Sequence, residues 1–446
     1  MNLDVELLSR LQFAMTIGFH FFFPPLSIGL GWLLVIFEWI GWRKNDDSYV
    51  RIGKFFGKIL ALTFAVGVAT GVVMEFQFGT NWAQYSKFVG DIFGAPLAAE
   101  GLFAFFLESG FLGLYLFGRE RVSRGMHWFS ALMVAVGATI SAFWILVANS
   151  WQQTPAGYVV QNGRAELTDF GAAVFNPSTL PRLLHTVDAA LIAGAFMVVG
   201  VSAYLILKNK EAELAKKSLR IAAIFGLIVS LLEVFPFGHI HGQQVAQTQP
   251  EKFAAIQGLY TSETGAPVVM FALPINPPPE LKARITMPIP GLLSWLAFGD
   301  ANAKIRGLNE FPKDEIPPLF LTFVSYHNMV ILGMYFIFIM LMTVYKVYRN
   351  TLWESKKLLR VLVWSIPLPL FACQLGWIAA EVGRQPWIVY KLMITIDAFS
   401  ATLSGGEVLF SLILFAIIYL ALGVLYLYLL TREINHGPES AKEVAA

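Results

Sequence analysis

Nine long apolar runs constrain this chain more than any other feature of its sequence. A helix needs about 20 apolar residues to cross the hydrocarbon core of a bilayer, and all nine runs are close to or above that length. The composition agrees, because 56% hydrophobic and 14% charged residues are too apolar for a soluble protein of 446 residues. The sequence therefore predicts an all-α polytopic membrane protein with about nine transmembrane helices. The predicted spans are residues 12–40, 55–79, 94–117, 127–151, 184–207, 219–236, 318–347, 361–380 and 404–430.

Lysine and arginine are distributed unevenly between the connecting segments. Sixteen of them follow odd-numbered spans, whereas six lie in the N-terminal segment and the short connections on the other side. Cytoplasmic loops carry the excess of basic residues, which predicts an external N-terminus and a cytoplasmic C-terminus. The predicted organisation is six spans in 1–236, an external loop in 237–317, three spans in 318–430 and a cytoplasmic tail in 431–446, whose last ten residues we expect to be disordered.

The long external loop is itself a functional signal. It contains the proline-rich segments LPINPPPEL and MPIPG, and loops of this length in compact proteins are commonly functional.

Several kinds of chemistry are excluded by the residue inventory. Cys373 is the single cysteine, which excludes a disulfide framework, an iron–sulfur cluster and a CxxCH haem site. No basic stripe or nucleic-acid motif occurs, so nucleic acid is not a predicted partner. No two of the seven histidines are adjacent, which argues against a haem–copper site, and no span carries two of them a dozen residues apart. His239 and His241 could share a metal, but the sequence offers that pair no further ligands.

Ionisable side chains inside spans are costly and are therefore functional candidates. The predicted orientation puts His20, His185, Glu381 and also Met329 in the outer half of the membrane. All four are potential axial ligands of a metal or haem, and the alternative is that they are ordinary packed or hydrogen-bonded core residues. The full set of ionisable residues in spans is His20, Glu75, Glu100, Glu108, His185, Asp188, Glu233, His327, Glu381 and Glu407.

Two of these carboxyls share the third span. Glu100 and Glu108 are eight residues apart, which in an α-helix is about 12 Å along the axis and about 80° around it. Carboxyls at stepped depth suit a proton relay, and a structural pair bonded to neighbouring helices is the alternative.

Five ordered segments resemble subunit I of cytochrome bd ubiquinol oxidase. The resemblance extends from about residue 5 to about residue 430 and departs in places from better-known members. The matching segments are SRLQFAMTIGFHFFFPPLSIGLG (9–31), GVATGVVMEFQFGTNW (67–82), VGDIFGAPLAAEGLFAFFLES (89–109), SAFWILVANSW (141–151) and GRQPW (383–387).

The resemblance implies three haems and their ligands. His20 and Glu381 match the ligands of the oxygen-reducing pair, a high-spin haem b (b595-type) and haem d, and which residue holds which haem stays open. His185 and Met329 match the ligands of a low-spin haem b (b558-type). His/Met ligation raises the potential of a haem, which suits an acceptor of electrons from quinol.

The resemblance also implies residues that act on protons and quinol. Glu100, Glu108 and Ser141 match a proton path from the cytoplasm, and Lys252 matches a lysine of the quinol site. Arg384 is a cation beside Glu381 that can offset haem propionates.

Trp387 follows Arg384 in the same motif. Its ring can pack against a porphyrin or anchor the chain at the membrane interface, and both interpretations remain open.

This chain departs from the family pattern at two positions and in loop length. Gln257 stands where better-known members have glutamate, and glutamine is a poor proton acceptor. Glu251 and Glu263 are the neighbouring carboxyls that could act instead. His327 stands where some members have arginine, and the external loop has the short form.

The implied function is that of the catalytic subunit of a terminal quinol oxidase. Such an enzyme oxidises ubiquinol or menaquinol at the outer face, reduces O2 to water with cytoplasmic protons, and generates a proton motive force without pumping. The implied partners are a second large subunit (subunit II), a small single-span subunit and membrane lipid, in a bacterial or archaeal cytoplasmic membrane. Alternatives are a bb′-type variant without haem d, a proton-coupled transporter and a non-enzymatic membrane haem protein.

Overall fold

The structure is a computed structural model that describes residues 4–272, 284–287 and 289–439. Within those residues, nine helices are long and apolar enough to cross a membrane. Each coincides with a predicted run, so the prediction of an all-α protein with about nine spans is confirmed. Spans 1 to 9 are Val5–Lys44, Asp47–Thr80, Ala83–Phe117, Arg124–Gln153, Thr179–Leu207, Ala212–Thr248, Leu319–Tyr348, Lys356–Val382 and Gly405–His436.

Four of the spans are interrupted. Span 1 breaks after Val5–His20 and resumes as Phe23–Lys44, with prolines in its first turn. Span 8 consists of Lys356–Trp364 and Leu368–Val382, and Pro367 and Pro369 account for its break because proline cannot continue the hydrogen-bond ladder.

Spans 3 and 6 each contain a π-helical turn. The π turns are Glu100–Phe105, preceded by Pro96, and Glu233–Phe237, which contains Pro236. Each begins at an intramembrane glutamate, and π turns in α-helices are frequent at functional sites. A π turn absorbs about one extra residue, so the straight-helix value of 80° between Glu100 and Glu108 is wrong. Their eight-residue separation acts like seven α-helical residues, which leaves them about 20° apart.

Span 6 extends past residue 236, where the sixth apolar run ends. Its last segment, Gly238–Thr248, contains the polar sequence GHIHGQQVAQT. Hydropathy marks the part of a helix that lies in hydrocarbon, whereas the helix itself continues beyond it.

Span 5 is the central helix of the bundle and span 9 is peripheral. In their most apolar windows, 78% of span 5 is buried against 11% of span 9. Spans 1 and 5 cross closely at Gly29 and Gly194, where a Cβ on Gly29 would lie 2.7 Å from Gly194 Cα. Small residues at such crossings allow membrane helices to pack backbone to backbone.

Ion pairs join several span ends at one end of the bundle. They link the first turns of span 2 to the start of span 4 and to the connection after span 5, through Arg124–Asp47 at 2.7 Å and Arg51–Glu211 at 2.8 Å. The segment after span 9 is bound at the same end, where Glu439 contacts Lys54 at 2.6 Å. The C-terminal tail is therefore ordered as far as residue 439, and 440–446 lie outside the described residues.

The opposite end carries short helices and four two-stranded antiparallel sheets within the described residues. LPINPPPEL and the first proline of MPIPG lie outside those residues. The strand pairs are Tyr158–Gln161 with Arg164–Leu167, Glu263–Thr264 with Lys304–Ile305, Val269–Ala272 with Arg284–Thr286, and Trp387–Val389 with Met393–Ile394. The short α-helices are Phe170–Val174, Pro250–Gln257 and Leu292–Phe298, and the 3-10 turns are Leu308–Glu310, Lys313–Glu315 and Thr395–Asp397.

Candidate functional site

His20 ends the first helix of span 1 and faces span 2. Its Nδ1 lies 2.9 Å from Thr70 Oγ1, and that hydroxyl lies 2.9 Å from the carbonyl oxygen of Val66. Since the hydroxyl has one proton and donates it to the backbone, it accepts from Nδ1–H. The Nε2 atom is then unprotonated and has a free lone pair, which is the form that binds a metal.

Glu381 lies one residue before the end of span 8. Its Oε1 accepts from Asn149 Nδ2 at 2.9 Å and from Gln153 Nε2 at 3.3 Å. Its Oε2 accepts from the guanidinium of Arg384. Hydrogen bonds and a cation favour the ionised form of a carboxyl, so this side chain is prepared to act as an anionic ligand.

His185 and Met329 lie on spans 5 and 7, and both spans contact span 8 and the π turn of span 6. His185 Nδ1 is 2.9 Å from Glu233 Oε1. A Cβ on Gly376 of span 8 would lie 2.9 Å from Met329 Sδ. Only glycine at this position therefore allows the sulfur to stay where it is. Glu233, the first residue of the π turn of span 6, thus lies against His185, and Gly376 leaves space for Met329.

Buried donors near these ligands lack acceptors among the described residues. They include Nε and Nη2 of Arg182, Nε of Arg384 and Nε1 of Trp387. Burying a guanidinium without a partner is costly, so an anionic group belongs beside Arg182, which is 4% exposed. The two propionates of a haem are such groups, and the residues present therefore fit haem. Sequence reasoning missed Arg182, although its position one turn before His185 was a usable signal.

Glu100 and Glu108 both face span 4. Ser141 Oγ donates to Glu100 Oε1 at 2.6 Å. Glu108 is 7% exposed, and a Cβ on Gly137 would lie 3.0 Å from Glu108 Cβ. Ser141 and Gly137 are four residues apart and share one face of span 4, so the two carboxyls lie along a single helix surface.

The short helix Pro250–Gln257, here called the loop helix, is buried from Glu251 to Gln257. Lys252 Nζ donates to Ala380 O at 2.8 Å and to Gln153 Oε1 at 3.0 Å. Burial holds the pKa of Lys252 well below its usual value, and the positive charge of Arg182 adds to that effect. The lysine side chain is therefore directed at the end of span 8 that carries Glu381.

The other end of the loop helix faces span 7. Gln257 hydrogen-bonds the hydroxyl of Tyr326, three residues before Met329. This contact connects the loop helix to the helix that carries Met329. The loop helix thus bridges the two helices that carry Glu381 and Met329.

Glu251 points away from both of these contacts. Its Oε1 accepts from Tyr390 Oη at 2.7 Å and lies 3.9 Å from Lys391 Nζ. Burial raises the pKa of Tyr390, and the hydrogen bond to Glu251 adds to that rise. Lys391 is partly exposed and also pairs with Glu315 at 2.9 Å, so a chain of polar groups joins the buried carboxyl to the surface.

His327 makes two backbone contacts. Its Nδ1 lies 3.0 Å from Phe323 O, and its Nε2 lies 2.9 Å from Val269 O. Both contacts can be hydrogen bonds at once only if both ring nitrogens carry a proton. The ring thereby connects span 7 to the segment that follows the loop helix.

Other sequence candidates have structural explanations. Glu407 forms a capping box with Ser404 at the start of span 9. The rings of His239 and His241 face different neighbours, Trp295 and His185 respectively, and the described residues contain no group of three His, Cys, Asp or Glu side chains arranged to hold a metal ion.

The fold and these residues define a polytopic helical membrane protein with partly buried histidine, methionine and carboxylate side chains in its spans. The sequence matches the family described as cytochrome bd terminal oxidase subunit I over residues 8–438. The chain therefore belongs to the cytochrome bd terminal oxidase subunit I family. Membership assigns it to the quinol oxidases and implies haem as its class of cofactor.

Individual relatives agree with this assignment. The chain is 41% identical over 441 residues to cytochrome bd ubiquinol oxidase subunit 1 of Bacillus subtilis (strain 168), covering 97% of this chain and 94% of that one. It is 35% identical over 503 aligned positions to cytochrome bd-II ubiquinol oxidase subunit 1 of Escherichia coli (strain K12), covering 98% of each. The structure is similar to that of bd oxidase from Geobacillus thermodenitrificans, with a TM-score of 0.91, 30% identity and coverage of 98% of this chain and 100% of that chain.

Proposed function

We propose that this chain is the haem-bearing catalytic subunit of a terminal quinol oxidase that oxidises quinol at the outer face and reduces O2 to water. The observation that carries the proposal is the set of His20, His185, Met329 and Glu381 side chains beside buried donors that lack acceptors among the described residues. The basic end of the bundle is the cytoplasmic end, so the N-terminus is external and the C-terminus cytoplasmic. The membrane is a bacterial or archaeal cytoplasmic membrane.

His20 and Glu381 hold the high-spin haem b (b595-type) and haem d between them, and His185 with Met329 holds the low-spin haem b (b558-type). When bound, these groups supply electron transfer and the reduction of O2. The chain's own contribution is to fix ligand geometry and charge. Thr70 sets the tautomer of His20, and Glu233 lies against His185. Arg182 and Arg384 would neutralise the propionates, and the indole N–H of Trp387 would be a further donor to them.

Protons for water formation come from the cytoplasmic end along span 3. Glu108 lies deeper on that side, and Glu100, bonded to Ser141, lies closer to the ligand side chains. Because both carboxyls face span 4, a proton can move between them without leaving the bundle. Electrons from the outer face and protons from the inner face meet at the ligands, so charge crosses the membrane without a pump.

Quinol binds beside the loop helix, with Lys252 and Gln257 as its polar contacts. Gln257 cannot accept a proton at neutral pH. We assign that role to Glu251, the buried carboxyl of the same helix, whose contact with Tyr390 leads to the outer surface. The relatives' names include both ubiquinol and menaquinol oxidases, so the substrate class is a lipid-soluble quinol.

A second subunit covers part of spans 2 and 3. Glu75 is exposed there, together with Phe76 and Phe103, which are 70% and 71% exposed. A carboxyl that faces lipid is costly, so this surface is where we place subunit II. A small single-span subunit and membrane lipid cover other exposed apolar faces.

The test is reduced-minus-oxidised spectroscopy and haem extraction on the oxidase purified with its partner. We expect two b-type haems and a chlorin band in the red. Loss of the low-spin b signal in His185→Ala, with retention in His436→Ala, would support the ligand assignment, because His436 lies at the cytoplasmic end. Three b haems would identify the bb′-type variant. A protein without haem would refute the proposal and favour the proton-coupled transporter instead.

A further inference from the structure

Gln153, the last residue of span 4, lies between the quinol lysine and the ligand carboxylate. Its Oε1 accepts from Lys252 Nζ at 3.0 Å, and its Nε2 donates to Glu381 Oε1 at 3.3 Å. The side chain is fully buried. No charged residue or motif marks this position in the sequence, so only the fold reveals the connection.

We propose that Gln153 is a positioning residue that couples the quinol-binding loop helix to the ligand carboxylate of Glu381. This inference rests on the proposed function, because that function supplies the roles of Lys252 and Glu381. A change in the hydrogen bonding of Lys252 therefore alters the hydrogen bonding of Glu381 through the side-chain amide of Gln153.

The chemistry of the amide gives the coupling its direction. A glutamine side chain has an acceptor end and a donor end. Because Lys252 only donates, it fixes Oε1 of Gln153 on its own side, and Nε2 must then face Glu381. When Lys252 turns to a quinol oxygen, the amide loses that constraint and Glu381 loses a fixed donor.

The end of span 8 supports the same connection. The last four carbonyls of an α-helix lack partners within the helix. Those of Ala379, Glu381 and Val382 accept from the backbone of the following residues. The carbonyl of Ala380 instead accepts from Lys252 Nζ at 2.8 Å and Gln153 Nε2 at 3.4 Å.

The glycine of the GRQPW segment lies beside the same contact. A Cβ on Gly383 would clash with the carbonyl oxygen of Ala379 and would lie 3.2 Å from both Cγ and Cε of Lys252. The glycine thus leaves space for the lysine side chain to reach Ala380. Lys252 and Gln153 together cap the helix that carries the ligand, and a cation at a helix C-terminus is favourable.

The decisive experiment compares Gln153→Leu with Gln152→Leu, which makes the same chemical change one residue earlier. Gln152 directs its amide to Tyr85 and has no contact with Lys252. The measurements are haem content, the midpoint potentials of the high-spin haems, and kcat and KM for decylubiquinol. We expect both variants to keep their haems. Because Gln153→Leu loses a hydrogen bond to a charged group, it should raise KM about tenfold and shift a high-spin midpoint potential. Gln152→Leu should change neither KM nor the potential.

A double-mutant cycle separates coupling from general loosening of the fold. Lys252→Met should raise KM and shift the same potential in the wild-type background, but the potential shift should vanish in the Gln153→Leu background. Equal shifts in both backgrounds would overturn the inference. Gln153→Glu serves as the second variant if Gln153→Leu does not fold, and it should shift the potential further because a carboxylate then faces Glu381.

The outcomes distinguish this inference from the function on which it rests. If the wild type lacks haem, or if Glu381→Gln leaves its spectrum unchanged, the proposed function fails. If both of those results are as expected and Gln153→Leu matches Gln152→Leu in KM and potential, only the coupling fails.

Discussion

His20 Nδ1 lies 2.9 Å from Thr70 Oγ1, and this contact between spans 1 and 2 determines which ring nitrogen is free. We predict that Thr70→Val lowers retention of one high-spin haem by about 10- to 100-fold, the usual effect of removing a hydrogen-bond partner of a metal ligand. The measurement is haem extraction after dilution into detergent. Thr63→Val is the control, because Thr63 is equally buried on the same span but contacts Tyr426. Equal retention in both variants would contradict the assignment.

Gly376→Ala tests the position of Met329. The added Cβ would lie 2.9 Å from Sδ, so the sulfur must move. We expect the low-spin haem b to lose its reduced spectrum or to become partly high-spin, while the other two haems keep their signals. The comparison is Gly113→Ala, where nothing lies within 4 Å of the added carbon. A normal low-spin spectrum in Gly376→Ala would exclude Met329 as a ligand.

Glu108→Gln tests the proton path. A neutral amide cannot carry a proton between carboxyls, so turnover-linked proton uptake in liposomes should fall by about 100-fold or more, as expected for a lost proton-transfer group. Glu120→Gln removes a carboxyl that is exposed after span 3 and should behave like the wild type. A Glu108→Gln enzyme with full turnover and full membrane potential would eliminate the relay.

Glu251→Gln tests the group that receives the proton of quinol. We expect kcat with decylubiquinol to fall by about 100-fold and KM to change little, because Lys252 still binds the substrate. Tyr390→Phe should have a smaller effect of the same kind, since it removes the hydrogen bond to Glu251. Glu315→Gln alters only the surface partner of Lys391, and a matching loss of kcat in that variant would show that surface charge is responsible.

Asp46 should make its end of the bundle acid-sensitive. Hydrogen bonds from Ser48, together with Lys217, lower the pKa of Asp46 to about 2. A lowered folded-state pKa contributes stability that is fully present above the ordinary value near 3.8 and is lost as the pH falls toward 2. Asp46→Asn should flatten the dependence of Tm on pH below 4, because asparagine can still cap the helix but does not titrate.

Asp47→Asn is the control for that measurement. Asp47 makes an exposed ion pair with Arg124, and exposed pairs contribute little. An Asp47→Asn variant that flattens the pH dependence of Tm as much as Asp46→Asn would show that net charge, rather than the hydrogen bonds of Asp46, is responsible.

The spans could be predicted from the sequence because bilayer thickness fixes the length of an apolar helix. The π turns at Glu100 and Glu233 could not, since hydropathy carries no information about which carbonyl an N–H group selects. The basic residues predict which ends of the spans lie together, and the ion pairs Arg124–Asp47 and Arg51–Glu211 join ends of that group.

The site was only partly predictable. Histidine, methionine and carboxyl ligands stand out in apolar runs, whereas Thr70, Asn149 and Gln153 are uncharged and common in such helices. The sequence places the loop helix in the predicted external loop, but it does not reveal that Glu251 and Lys252 are buried by partners that are distant in sequence. Long-range hydrogen bonds of this kind require the fold.

The π turn Glu100–Phe105 has a consequence for how span 3 tolerates changes in length. Deleting one residue elsewhere in an α-helix rotates everything beyond it by about 100°, which would swing Glu108 away from span 4. Deleting one residue within this turn would restore a regular helix and leave both flanking faces where they are. Single-residue gaps among relatives in this span are therefore expected here, and a shortened variant would retain the two-carboxyl surface.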